Sequence, residues 1–130
     1  MIHRLRFSHV NAASFLPTLA LLLIAVSPRV VASDLVITGV LDGPLSGGVP
    51  KAIEVHALTN IPDLSIYGLG AANNGGGTDG EEFTFPAVGA AAGDFIYVAS
   101  ESAGFNSFFG FDPDYTSGAA SINGDDAIEL

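Results

Sequence analysis

An all-β domain with one short helix is the architecture this sequence predicts, and three observations lead there. The apolar segments are short and each is bounded by Gly, Pro, Asn or Asp, the pattern of many strands and few helices. One segment alternates with a strict period of two, the repeat of a half-buried strand. All 16 glycines fall after residue 32, roughly double the ordinary usage for that stretch, as turn-rich chains require.

Leu35-Val36-Ile37-Thr38-Gly39-Val40-Leu41 is rich in branched residues and reads as the first strand, stopped by Asp42-Gly43-Pro44 with Ser46-Gly47-Gly48 behind it. Ala52-Ile53-Glu54-Val55-His56-Ala57-Leu58 is the alternating segment. Ile53, Val55 and Ala57 share a core face, and Glu54 and His56 share a wet or functional one. After the Pro62-Asp63 turn, Leu64 to Leu69 predicts a third strand. The run from Gly70 to Gly80 holds nothing large enough to bury much apolar surface and predicts an exposed loop. Glu82-Phe83-Thr84-Phe85-Pro86 resumes a strand, and Phe95-Ile96-Tyr97-Val98-Ala99, apolar on both sides, predicts a central one. Ser102 to Phe109 is the helical candidate: Ser102 as cap, Phe105, Phe108 and Phe109 at i, i+3 and i+4, and Gly110 as terminator. Its aromatics read as a lid on the end of the core, not as a ligand box. Asn123-Gly124 predicts a tight hairpin, and the chain then stops in mid-strand at Leu130, which reads as a domain lacking its last strand or strands.

Residues 1–32 read differently. Arg4 and Arg6 precede an apolar run from Phe15 to Val26, and Val30-Val31-Ala32 offers small or modest residues before a cut after Ala32, the order of a signal peptide. A membrane anchor needs about 20 apolar residues, and this run falls short with Pro17 and Thr18 near its start. The expected product is a secreted, extracellular or periplasmic domain over 33–130 with no transmembrane helix. From Ser33 onward Lys51 is the only base against 14 acids, a net charge of −13, and the chain contains no cysteine.

That composition excludes much chemistry. Thiolate catalysis and cysteine-ligated zinc are impossible, and a Ser-His-Asp arrangement has only His56 as base with no Gly-x-Ser-x-Gly elbow beside it. Gly75-Gly76-Gly77 lacks the lysine and following helix of a phosphate-binding loop. Nucleic acid is held chiefly by Lys and Arg, so direct binding by a −13 segment is not expected. Hard cations take carboxylate oxygens, and Asp79, Glu81, Glu82, Asp125 and Asp126 are the calcium candidates, although acidic loops on such a domain are more often simply solvated and the twelve-residue calcium-loop spacing is absent. Glu54 and His56 have the spacing of half a transition-metal site, with an ordinary exposed pair the commoner meaning.

Taken in order, Leu35 to Val40, Lys51 to Val55, Asp63-Leu64-Ser65-Ile66-Tyr67-Gly68-Leu69, Phe83-Thr84-Phe85-Pro86, Ala92 to Val98 and Asn123-Gly124-Asp125-Asp126-Ala127-Ile128-Glu129-Leu130 resemble the lamin tail domain family in its bacterial, exported form. The resemblance spans Leu35 to Leu130 and departs at His56, where the family pattern has an aromatic residue. It implies an immunoglobulin-like β-sandwich and a non-catalytic accessory module, of a kind that stands at the front of secreted endonucleases and phosphatases or on surface proteins. Lys51, Glu54 and His56 form the candidate binding face. The partner expected is a protein, a polysaccharide or a downstream domain of the same chain. The alternatives are the front end of a secreted metal-dependent endonuclease or phosphatase, and a calcium-stabilised surface or adhesion protein.

Overall fold

The computed structural model describes residues 33–77 and 80–130, so the expected leader over 1–32 lies outside the described residues. Among the described residues the chain is mostly β, with seven strands in two sheets and one α-helix. The first sheet runs β1 (Leu35–Leu45), β2 (Val49–Ala57), β5 (Phe95–Ala99), β6 (Tyr115–Thr116) across its width. The second runs β4 (Phe83–Thr84), β3 (Gly68–Ala72), β7 (Ala127–Glu129). Neighbours pair antiparallel except β5 and β6, which are parallel and joined through helix α1 (Ser102–Phe109).

The period-two pattern of β2 does what it predicts: Ile53, Val55 and Ala57 are wholly buried, and Glu54 and His56 are not. Leu35, Ile96 and Val98 join them from the flanking strands, and Leu69 and Phe85 close the core from the other side. Two sheets thus share one apolar core, the arrangement of an all-β sandwich. Each of these large side chains contributes about 1.5–3 kcal/mol by leaving water. Phe83 and Phe85 meet edge to face at 5.0 Å, and Tyr115 approaches both from β6.

Several elements differ from the sequence expectation, each for a local reason. The Asp42-Gly43-Pro44 stop does not end β1, which continues to Leu45 through a register shift. Gly43 permits this, because a Cβ there would lie 2.4 Å from backbone atoms of Val49 and Pro50. Leu64–Ile66 is a 3₁₀ turn, not a strand, since the Asp63 carboxylate accepts hydrogen bonds from the Ser65 N–H (2.9 Å) and hydroxyl (2.7 Å) and so caps the turn. Those bonds hold the Asp63 carboxyl below the usual carboxylate range. The strand falls later, over β3, and buries Gly70, Ala71 and Ala72 that the sequence assigns to a loop. Small residues suit that place because a Cβ on Gly70 would lie 2.3 Å from the Gly80 carbonyl oxygen.

Asn123-Gly124 makes a four-residue turn closed by the Asp126 N–H on the Asn123 carbonyl (3.1 Å), and β7 then pairs with β3 and not with a hairpin partner. The helix has the predicted bounds. Its cap is Glu101, which accepts the Gly104 N–H at 2.6 Å, and Gly110 ends it in the left-handed region at φ 83°.

Candidate binding face on the outer side of the four-stranded sheet

The outer face of the first sheet is assembled in rows. Ala52 pairs with Ala99, Glu54 with Tyr97 and His56 with Phe95 across β2 and β5. Helix α1 lies over the first row, where Phe105 is fully buried with Ala52 and Ala99 in a small cluster separate from the main core. The helix is therefore a cover on the outer side of the sheet, not on the end of the core. Phe108, Phe109 and Phe111 stay 45%, 41% and 43% exposed beside it, and Phe95 is 50% exposed at the far row.

The middle row is the chemically distinct one. A register shift between Ile37 and Gly39 puts the extra residue, Thr38, opposite the Glu54 position, and its hydroxyl donates to Glu54 Oε1 at 2.7 Å. Burial comes first, then the hydrogen bond to Glu54 and the charges of Glu54 and Asp114, in pushing the Tyr97 phenol up. Over this row sits a cavity of about 250 Å³ lined by Gly39, Glu54, Tyr97, Phe105, Phe109 and Phe111. Tyr97 lies 5.3 Å from Phe111 at 65°, and Phe105 lies 5.4 Å from Phe111 at 82°, so the rings meet as corners and not as a stack. Asp114 accepts the Tyr97 N–H at 2.8 Å, which ties the segment returning from the helix to β5 where β6 has not yet begun.

Of the binding-face residues read from the sequence, Glu54 and His56 share this outer face. His56 stacks on Phe95 with ring centroids 4.3 Å apart, and its Nδ1 lies 3.2 Å from the Asp94 carbonyl oxygen. Lys51 has the opposite parity on β2 and turns the other way. It pairs with Asp42 at 2.6 Å, reaches Asn123 Oδ1 at 3.3 Å and donates to the Ile122 carbonyl, a clasp between β2 and the 122–126 segment.

The calcium candidates lie in two acidic stretches, 79–82 and 125–126. Asp79 lies outside the described residues. Glu81 accepts the Thr84 hydroxyl, and Glu82 accepts the Ala71 N–H at 3.1 Å. Asp126 accepts the Asn74 N–H at 2.8 Å and the Asn123 N–H at 2.7 Å, and those bonds, with the Lys51 charge, hold its carboxyl below the usual range. Asp125 is exposed. Among the described residues no three His, Asp or Glu side chains gather as a metal-holding group. A second hollow, of about 410 Å³, lies by Gly68, Gly70, Glu81 and Glu129, with Tyr67 as its one aromatic ring among the described residues.

The functional elements that the sequence did not reveal are the cavity itself, Tyr97 as its floor and Phe111 as a wall. The Phe105, Phe108, Phe109 spacing was visible, but nothing in it tells which side of which sheet the helix covers.

The class this geometry defines is a two-sheet β protein with a short helix laid across the outer face of one sheet. No family model, no curated protein and no solved structure matches the chain. No helix among the described residues is long and apolar enough to cross a membrane.

Proposed function

We propose that this chain is a non-catalytic binding or accessory module of lamin-tail type, an immunoglobulin-like sandwich that acts after export. The observation that carries the reading is the aromatic outer face. Phe95, Phe108, Phe109 and Phe111 each leave two-fifths or more of their surface in water, and Phe109 and Phe111 line a cavity on the side of the sheet that the core does not use. Solvent-facing aromatic surface of that kind costs solubility and marks a contact site. The order of sequence segments from Leu35 to Leu130 supports the lamin-tail assignment, and the shared core of two sheets is compatible with it.

The test has two parts. The purified chain is incubated with phosphomonoester, phosphodiester and duplex DNA substrates in magnesium, manganese or calcium, with no turnover or DNA retention expected. It is also passed over insoluble polysaccharides and extracellular matrix proteins, beside a Phe108→Ser, Phe109→Ser, Phe111→Ser variant of the same secondary structure. Retention of the wild type and release of the variant is the expected pattern. Hydrolysis that follows the chain through successive columns would overturn the reading.

A further inference from the structure

We infer that the cavity over Glu54 and Tyr97 is a binding site for an alkylammonium group, a positively charged nitrogen carried on an aliphatic stem. This deepens the binding-module reading and rests on it. Its walls are Tyr97, Phe105, Phe109 and Phe111. Aromatic faces attract cations through the ring quadrupole, most effectively where water is partly excluded. Phe109 and Phe111 are 41% and 43% exposed and Tyr97 is half-buried, so these three rings keep surface that a ligand can reach, while Phe105 is wholly buried.

The polar group at the cavity fits the same ligand. Among the described residues Glu54 is the one carboxylate that lines it, and its Oε1 accepts the Thr38 hydroxyl, which fixes the side chain in place. A carboxylate has about four acceptor positions, so the bond from Thr38 leaves room for a cation. A hard metal ion is a poor occupant, because it asks for six or more oxygen ligands. An anion is poorer still. The chain from Ser33 on carries 14 acids and no arginine, and its single lysine, Lys51, is engaged with Asp42 and the 122–123 segment on the other face of β2.

Size points the same way. About 250 Å³ is just below the range of drug-sized pockets and suits a head group with its stem leading outward. Gly39 keeps the space open: it lines the cavity, and a Cβ there would already lie 3.3 Å from the Glu54 Cβ.

The experiment titrates the full chain, labelled with ¹⁵N, with choline and with its neutral counterpart 3,3-dimethylbutan-1-ol, and follows amide shifts. Choline is expected to move Gly39, Glu54, Tyr97 and Phe105, with half-saturation at a concentration roughly five- to tenfold lower than the alcohol's. Glu54→Gln should remove most of that preference and leave the alcohol unchanged. Phe111→Leu, at a half-exposed position, should weaken choline several-fold and serves if Glu54→Gln does not fold. Equal binding of the two probes overturns the cation site while leaving a contact surface, and with it the binding-module reading, intact. Choline shifts spread over the acidic loops and unchanged by Glu54→Gln also overturn it, since they report counterions only. No response to either probe overturns the cavity as a site at all.

Discussion

Ile53, Val55 and Ala57 point inward from β2 and are wholly buried, while Glu54 and His56, their immediate neighbours, point outward and keep part of their surface in water. The two faces of this sheet share their backbone and almost nothing else. The inner face meets a second sheet and is sealed on every side by large apolar residues, Leu69 and Phe85 among them. Among the described residues the outer face meets a single eight-residue helix, which covers the Ala52–Ala99 row, reaches Tyr97 of the next row through Phe105 and leaves Phe95 of the last row half exposed. A strand therefore supplies stability on one side and a contact surface on the other, and the length of the covering element decides where one role ends.

The largest way to test that contrast is Phe85→Ala. Phe85 is 1% exposed and lies where the sheets meet, so its truncation should cost about 3–5 kcal/mol in urea unfolding. A loss under about 1 kcal/mol would mean that the two sheets do not share a core, and the distinction between faces would fail. Glu101→Ala probes the outer side. It removes the helix cap on the Gly104 N–H and should cost about 1 kcal/mol. Glu101 Oε1 is buried without a hydrogen-bond partner, so relief of that burial offsets part of the loss. Hydrogen exchange should quicken through Ser102–Phe109 and leave the amides of Ile53 to Val55 as protected as before. Faster exchange at both places to the same extent would show that the helix and the inner core unfold as one unit, against the separation drawn from their distinct clusters.

The inner face was legible in the sequence because its rule is local. Period two in β2, apolar runs in β1 and β5 and the Phe83-Thr84-Phe85 spacing are consequences of the pleat, and each needs only its own residues. What escaped depends on distant partners. Gly70 to Ala72 read as loop because small residues bury little, yet their smallness is what lets the chain pass 2.3 Å from where a side chain would be. Tyr115 and Thr116 form the short parallel edge only because Gly110 turns the chain back after the helix, and two residues give no periodicity to detect. Glu54 and His56 share one side of β2 by their spacing, and parity alone separates Lys51 from them. The cavity was invisible because it needs an irregularity at Thr38, a helix that begins only at Ser102 and Phe111 beyond it, and none of these marks the others in the sequence.

The smallest expected effect divides the faces most cleanly. Tyr97 lies on the outer side, and Tyr115 packs against the inner core. Burial leads in pushing both phenols above the ordinary value near 10, with the Asp114 charge adding to each, but only Tyr97 also feels Glu54. In each case the folded chain holds the phenolic proton more tightly than the unfolded chain does. The resulting stability is fully present below the unfolded value and is lost as pH rises through the folded one. Glu54→Gln removes the charge beside Tyr97, so its titration, followed by ring carbon shifts or by absorbance with Tyr97→Phe as reference, should move down toward the ordinary value. Tyr115 should not move, because the Glu54 side chain and the Tyr115 ring are on opposite sides of the sheet. A matching shift at Tyr115 would mean that charge on the outer face is felt through the sheet, and the two faces could no longer be treated as electrostatically separate.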